Sequence, residues 1–236
     1  LIGRLGQFKV PFSLEMLTSD TEIMTIERAE VVNQLAPGRD AGVSFGGNLP
    51  DSMIAYSVGL FNGHSPNAPS TYATGSFADA GKNKTNDNNQ LMLTGRVTVK
   101  PIEGVTAGVS ILKEDSTSND HQAFELDVQA KYPQTGCTFQ GEYLSQKYND
   151  KTSDGFYIAA GHFIVPKHLE GVLKYEKYND GANATGRDDI NWLTLGVNFY
   201  IYGDHDAKLM ANYIIKGEEN NSYDNDTLLA QVQLRF

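Results

Sequence analysis

The residues able to do chemistry in this chain are few and scattered. Five histidines are present, His64, His121, His162, His168 and His205; four read as turn or loop residues and only His162 falls within a strand pattern. None stands in a constellation with a serine and a carboxylate, and no HExxH occurs. No serine reads as sitting on the strand-to-helix turn that a nucleophile elbow requires. Cys137 is the single cysteine, so neither an intrachain disulfide nor a cysteine metal cluster can form; it reads as a small side chain on a strand. The acidic pair Asp188–Asp189 could hold a divalent cation, but Arg187 beside it favours plain solvation. Matches to N-x-S/T at Asn83, Asn183, Asn220 and Asn225 mark polar loops. Nothing here calls for a cofactor or a metal. What remains is charge. Arg28 and Arg39 carry planar guanidinium forks suited to phosphate or carboxylate. Lys9, Arg96, Lys100 and Lys208 are further cations. Facing water inside a hollow, such groups sort ions by sign.

The hollow comes from the pattern of the chain. Alternation with a period of two recurs throughout. In Leu91–Lys100, Leu91, Leu93, Gly95, Val97 and Val99 oppose Met92, Thr94, Arg96, Thr98 and Lys100. In Ala123–Tyr132, Phe124, Leu126, Val128, Ala130 and Tyr132 oppose Glu125, Asp127, Gln129 and Lys131. Asp206–Lys216 and Asp226–Phe236 repeat the theme. Further strands are read at Ile2–Val10, Ala41–Gly47, Met53–Phe61, Val105–Lys113, Cys137–Gln146, Gly155–Val165, Leu169–Tyr178 and Ile190–Tyr202. That makes about twelve, most near the 9–11 residues of a tilted membrane strand.

Short turns rich in Pro, Gly and Asp (Asn48–Ser52, Pro101–Gly104, Pro133–Gly136, Pro166–His168, Gly203–His205) alternate with longer polar loops. The long loops are Pro11–Asp40, Asn62–Gln90, Glu114–Gln122, Lys147–Asp154, Asn179–Asp189 and Gly217–Asn225. Short turns on one rim and long loops on the other are the mark of an outer-membrane barrel. The expected fold is therefore an all-β, antiparallel transmembrane β-barrel spanning residues 1–236. Phe124 and Tyr132 share a face eight residues apart, on the order of 20 Å along the membrane normal, close to an aromatic-girdle spacing. No apolar run approaches the roughly 20 residues of a membrane helix, which says nothing against a barrel. A soluble all-β domain, its apolar faces buried on each other, is the bland alternative.

Pro11–Asp40 stands apart. It is longer than the roughly 12–15 residues of an ordinary loop, and it carries Ile23, Ile26, Ala29, Val31 and Val32. It is expected to fold against the inner wall and narrow the bore. The net charge of -10 argues against a nucleic-acid partner. On the polar faces, Arg96, Lys100, Lys131, Lys174, Lys208, Lys216 and Arg235 oppose Glu125, Asp127, Glu142, Glu170 and Glu176, a slight basic excess. Much of the acidity falls in the long loops, at Glu114, Asp115, Asp188, Asp189, Glu218, Glu219 and Asp224. Lys9 is assigned to the wet face of the first strand, and Arg4, of opposite parity, to the membrane edge.

Several stretches resemble the phosphate- and polyphosphate-selective porins, the porin O/P family. Gly6-Gln7-Phe8-Lys9-Val10-Pro11-Phe12 is similar to its passage from strand to loop. Ile26-Glu27-Arg28 and Ala36-Pro37-Gly38-Arg39-Asp40-Ala41-Gly42-Val43 resemble the long loop and its exit. Ser57-Val58-Gly59-Leu60-Phe61-Asn62-Gly63 resembles the following strand; Ala207-Lys208-Leu209-Met210-Ala211-Asn212-Tyr213 and Gln231-Val232-Gln233-Leu234-Arg235-Phe236 resemble the closing hairpin. The resemblance implies a 16-stranded barrel, usually a homotrimer in the bacterial outer membrane among lipid and lipopolysaccharide. Roughly four N-terminal strands would then precede this numbering; a closed twelve-stranded barrel is the alternative. It implies passive diffusion of small hydrophilic solutes, anions such as phosphate favoured, past basic residues; the candidates read from the strand faces and the loop are Lys9, Arg28, Arg39, Arg96, Lys100 and Lys208. A weakly selective general porin and an outer-membrane barrel hydrolase are the competing functions.

Overall fold

A computed structural model describes residues 1–49, 53–63, 91–115, 120–148, 151–181, 189–203, 205–218 and 225–235. Among them, twelve strands pair in chain order into one antiparallel sheet. They are β1 (Ile2–Lys9), β2 (Arg39–Asn48), β3 (Ile54–Phe61), β4 (Met92–Ile102), β5 (Val105–Asp115), β6 (Asp120–Tyr132), β7 (Cys137–Tyr148), β8 (Lys151–Val165), β9 (Leu169–Asn179), β10 (Ile190–Tyr200), β11 (Ala207–Glu218) and β12 (Thr227–Leu234). The loop Asn62–Gln90 beyond Gly63, with His64 and Asn83, lies outside the described residues. So do Asn183, Arg187, Asp188, Glu219, Asn220, Asp224 and Phe236.

The alternation sorts the sheet into two faces. Leu93, Val97, Phe124, Leu126, Val128, Tyr132, Leu209, Tyr213 and Val232 are exposed on one. Thr94, Arg96, Glu125, Asp127, Lys208 and Asn212 are buried on the other. A single domain in water would be arranged the opposite way; this pattern suits an apolar surround and a polar inside.

The sheet is strongly curled. In a flat sheet β1 and β12 would stand about 50 Å apart, at about 4.8 Å per strand. Yet Lys9 of β1 donates to the Thr18 carbonyl and Gln233 of β12 donates to the Thr21 carbonyl, three residues further on. The two end strands thus bend round to the same short stretch, with the polar face inside the curve.

The turns follow from backbone sterics. Gly104 and Gly136 adopt φ of +80° and +67°, a region that a side chain disfavours. At Gly104 a Cβ would lie 2.5 Å from the Lys131 carbonyl oxygen. Two expected loops are shorter than the pattern suggests. The ladder runs on to Asp115↔Asp120 and to Tyr148↔Lys151, so Glu114–Gln122 and Lys147–Asp154 are largely strand. Polar residues mask such extensions because a strand beyond the apolar band has no reason to alternate. Pro101 lies within β4, next to a register shift between Val99 and Ile102 that frees it from the ladder.

In β1 strict alternation fails: Lys9 reaches the interior as expected, but Arg4 and Phe8 lie on that side too. Arg4 pairs with Ser44 and Phe8 with Asp40, both on the inner face, while Leu5 is 88% exposed. Phe8 sits inside because apolar residues fill the curve there: its ring meets Phe61 edge-on, centroids 5.2 Å apart. The interior is not uniformly wet. Val10, Phe12, Val31, Val32 and Leu35 bury themselves with the inward-facing Phe61, Met92, Leu112 and Leu144.

Candidate functional site

The segment between β1 and β2 lies along the inner face and contains two short helices, α1 (Leu14–Leu17) and α2 (Glu30–Leu35). Neither had a legible periodicity, since four and six residues are too few to show one. Side chains of the wall bind the backbone of this segment, and their charge follows backbone polarity. Carboxylates take the N–H groups. Glu142 accepts from Leu14 N–H (2.9 Å), Glu15 N–H (2.6 Å), Ser13 Oγ (2.6 Å) and the Tyr157 hydroxyl (2.8 Å). Glu176 accepts from Glu30 N–H at 2.6 Å, supplying the partner that the start of α2 lacks. Cations and amides take the carbonyls. Lys208 donates to Ile23 (3.2 Å), Asn198 to Met24 (2.9 Å) and Lys174 to Glu27 (3.1 Å). At the segment's turn, the Thr21 carbonyl accepts from His205 Nδ1 and Gln233 Nε2, both at 2.9 Å. Burial and the nearby Lys208 charge hold His205 below its ordinary value, consistent with a neutral ring donating from Nδ1.

Glu15 is fully enclosed and accepts from Ala29 N–H at 2.9 Å, which ties the two arms of the segment together. Burial pushes its carboxyl up to about 7; Lys174 opposes that rise and Glu142 adds to it.

The cations singled out in the sequence divide into groups. Lys9 and Arg28 meet at one point: Lys9 Nζ donates to the Thr18 carbonyl at 2.7 Å and Arg28 Nη2 to the same oxygen at 3.1 Å. Arg28 also donates to the Glu15 carbonyl at 3.0 Å and pairs with Asp20. That hydrogen bond is the main reason the Asp20 carboxyl is held below its usual range, and the charges of Arg28, Lys9 and Arg39 add to the effect. Three cations therefore gather about one carboxylate, and Arg39 is exposed. The partner of Arg28 is Asp20, not the adjacent Glu27 or Glu30. Arg39 does not hold Asp40, whose carboxylate accepts from the Ala41 and Gly63 N–H groups.

Arg96 lies elsewhere and is neutralised, 2.9 Å from Glu125 and 2.7 Å from Asp127. Lys208 is buried under the segment, and Lys100 is exposed near the short turns. Arg4, assigned to the membrane edge, instead lines an inner cleft of about 260 Å³ with Lys9, Ser44, Ser57 and Arg96.

Among the described residues the histidines sit in contacts of the wall and turns. His121 lies in β6 rather than in a loop, 3.9 Å from Glu114 and edge-on to Tyr148. His162 Nδ1 meets Cys137 Sγ at 3.2 Å, and His168 meets the Tyr200 carbonyl at 2.9 Å. Gly42-Val43-Ser44-Phe45-Gly46 has the letters of a nucleophile elbow, but Ser44 sits mid-strand in β2 with unbroken register on both sides. It has none of the strand-to-helix strain that exposes a nucleophile.

A family model described as phosphate-selective porin O and P matches residues 4–130. An uncharacterised protein of Aquifex aeolicus (strain VF5) is 22% identical over 271 residues, covering 99% of this chain and 63% of that protein. The chain therefore spans less than two thirds of that relative's length. Among solved structures, a porin refined at 1.8 Å resolution shares 10% identity with a TM-score of 0.57, over 84% of this chain and 62% of the other. OmpT of Vibrio cholerae, an outer-membrane protein with its loop L8 deleted, shares 11% identity with a TM-score of 0.55, over 93% and 71%. At such identities the likeness establishes the fold, a porin-like sheet. With the family match covering more than half of the chain, this protein belongs to the phosphate-selective porin O and P family.

Proposed function

We propose that this chain is part of an outer-membrane channel for passive diffusion of small hydrophilic solutes, with anions such as phosphate favoured. The observation that carries the reading is the meeting of Lys9 and Arg28 at the Thr18 carbonyl beside Asp20, with the exposed Arg39 acting on the same carboxylate. The wall carboxylates that oppose them in sign, Glu125, Asp127, Glu142, Glu170 and Glu176, are all at most 6% exposed. Each of these carboxylates is already engaged, by Arg96, by Lys174 or by hydrogen-bond donors of the segment and wall, so its charge is compensated locally. The Pro11–Asp40 segment sets the bore in this reading. Arg39, Arg28 and Lys9 supply the selective charge, Lys100 the approach from the short-turn side, and Arg96 and Lys208 hold structure. The apolar outer face meets lipid, with lipopolysaccharide outermost, and in a homotrimer it meets neighbouring copies. Further strands complete the wall between β1 and β12 in a 16-stranded barrel.

Neutralisation of Arg96 by two carboxylates favours a second reading, a weakly selective general porin. Planar-bilayer recordings under a salt gradient separate the two. The Arg28→Ala/Arg39→Ala double variant is expected to move the reversal potential toward cation preference, and phosphate is expected to block chloride current in the parent. An unmoved reversal potential and no phosphate block leave the general porin standing.

A further inference from the structure

A cavity of about 230 Å³ lies between the segment's second arm and strands β9 to β12. A water needs about 10–15 Å³ of such space, so the cavity has room for several waters or one small solute. Its lining includes Glu27 and Glu30 from the segment and Trp192, Thr194 and Lys216 from the wall. Arg28 and Lys174 also border it, but both are engaged, Arg28 by Asp20 and Lys174 by the Glu27 carbonyl and Glu176. Glu30 is partly engaged, accepting from Gln34. Two charges of opposite sign stay open to a small solute, the exposed Glu27 carboxylate and the half-buried Lys216 ammonium. Among the described residues, the Glu27 carboxylate and the Lys216 ammonium form no hydrogen bond or ion pair. Lys216 Nζ lies 4.7 Å from the centre of the Trp192 ring. The neighbouring Asp226 carboxylate already accepts from the Lys216 backbone N–H and the Tyr213 hydroxyl.

Two polar atoms on the same wall also lack partners among the described residues: Trp192 Nε1 and Thr194 Oγ1, the latter on a side chain 1% exposed. An indole N–H only donates, so it requires an acceptor. A simple anion entering this space meets Glu27 and Glu30; a simple cation meets Lys216. A molecule carrying both charges satisfies each wall. We propose that the cavity binds a small zwitterion of the α-amino-acid type. Its carboxylate goes to Lys216 and the Trp192 N–H, and its ammonium group goes to Glu27. The site is defined by binding alone and does not depend on which ions the channel conducts.

Trp192 stands in the lining, so the emission lost in Trp192→Phe reports from inside the site. The complete protein in detergent micelles is dialysed to equilibrium against radiolabelled L-alanine, and that emission is followed in parallel. Acetate and ethylammonium serve as single-charge controls. Saturable retention of alanine is expected, displaced by either control only at tenfold or higher concentration. Glu27→Gln and Lys216→Met are each expected to weaken retention at least tenfold; Glu27→Gln leaves the Trp192 stacking partner in place and keeps the result readable if Lys216→Met disturbs the wall. Absence of retained alanine overturns the proposal. So does acetate competing as well as alanine, which would reduce the cavity to an anion subsite.

Discussion

Glu142 shows how one residue on the wall shapes the interior. Its two oxygens accept four hydrogen bonds, three of them from Ser13, Leu14 and Glu15. A hydrogen bond to a charged group contributes about 1.5–3 kcal/mol. Glu142→Ala strands those donors, and amide exchange at Leu14 and Glu15 is expected to rise at least tenfold while the strand amides stay protected. Glu15 adds a pH dependence. Its carboxyl holds a proton up to about pH 7 when docked, against about 4.5 when free. Docking is therefore fully favoured below about pH 4.5, weakens as pH rises, and has lost this contribution above about pH 7. Exchange protection of residues 14–17, corrected for the intrinsic rate, is expected to be higher at pH 5 than at pH 7.5, and Glu15→Gln is expected to remove the difference. The sequence showed which face held these acids and bases but not their use. Counting charges along a face cannot reveal that Glu142 and Lys208 bind backbone groups about 130 and 185 residues away.

At the scale of elements, α2 anchors the segment through Val31, Val32 and Leu35, all at most 2% exposed. A Leu→Ala change in such packing costs about 2–5 kcal/mol. Leu35→Ala is expected to open the segment to limited proteolysis within residues 11–38 and to raise open-channel current noise, with the β signal in circular dichroism unchanged. The twelve strands were legible because their alternation is long and regular. The inward placing of Arg4 and Phe8 in β1 was not, because Phe8 belongs to an interior apolar patch that only the segment creates. Short helices at Leu14–Leu17 and Glu30–Leu35 escaped for lack of length, although the apolar residues of the segment announced that it must pack on something.

For the whole molecule, the two faces make opposite demands. Val128 is 49% exposed on the outer face, whereas Thr98 lines the inner cleft with Arg4 and Arg96. Val128→Arg is expected to lower folding stability in a bilayer by about 2–4 kcal/mol if it sits near mid-depth, while Thr98→Arg is expected to cost little. Chemical denaturation in liposomes measures both. An equal cost for the two would contradict the assignment of faces.

The hydrogen bond between Gln233 and Thr21 joins positions 212 residues apart. It bears on the order of assembly. A nascent chain can pair β1 with β2 early, but Thr21 cannot reach its final seat until β12 has been added. Seating it is thus a late event, limited by the slow closure of the longest contacts. Until then part of the polar inner face waits for the backbone that will cover it.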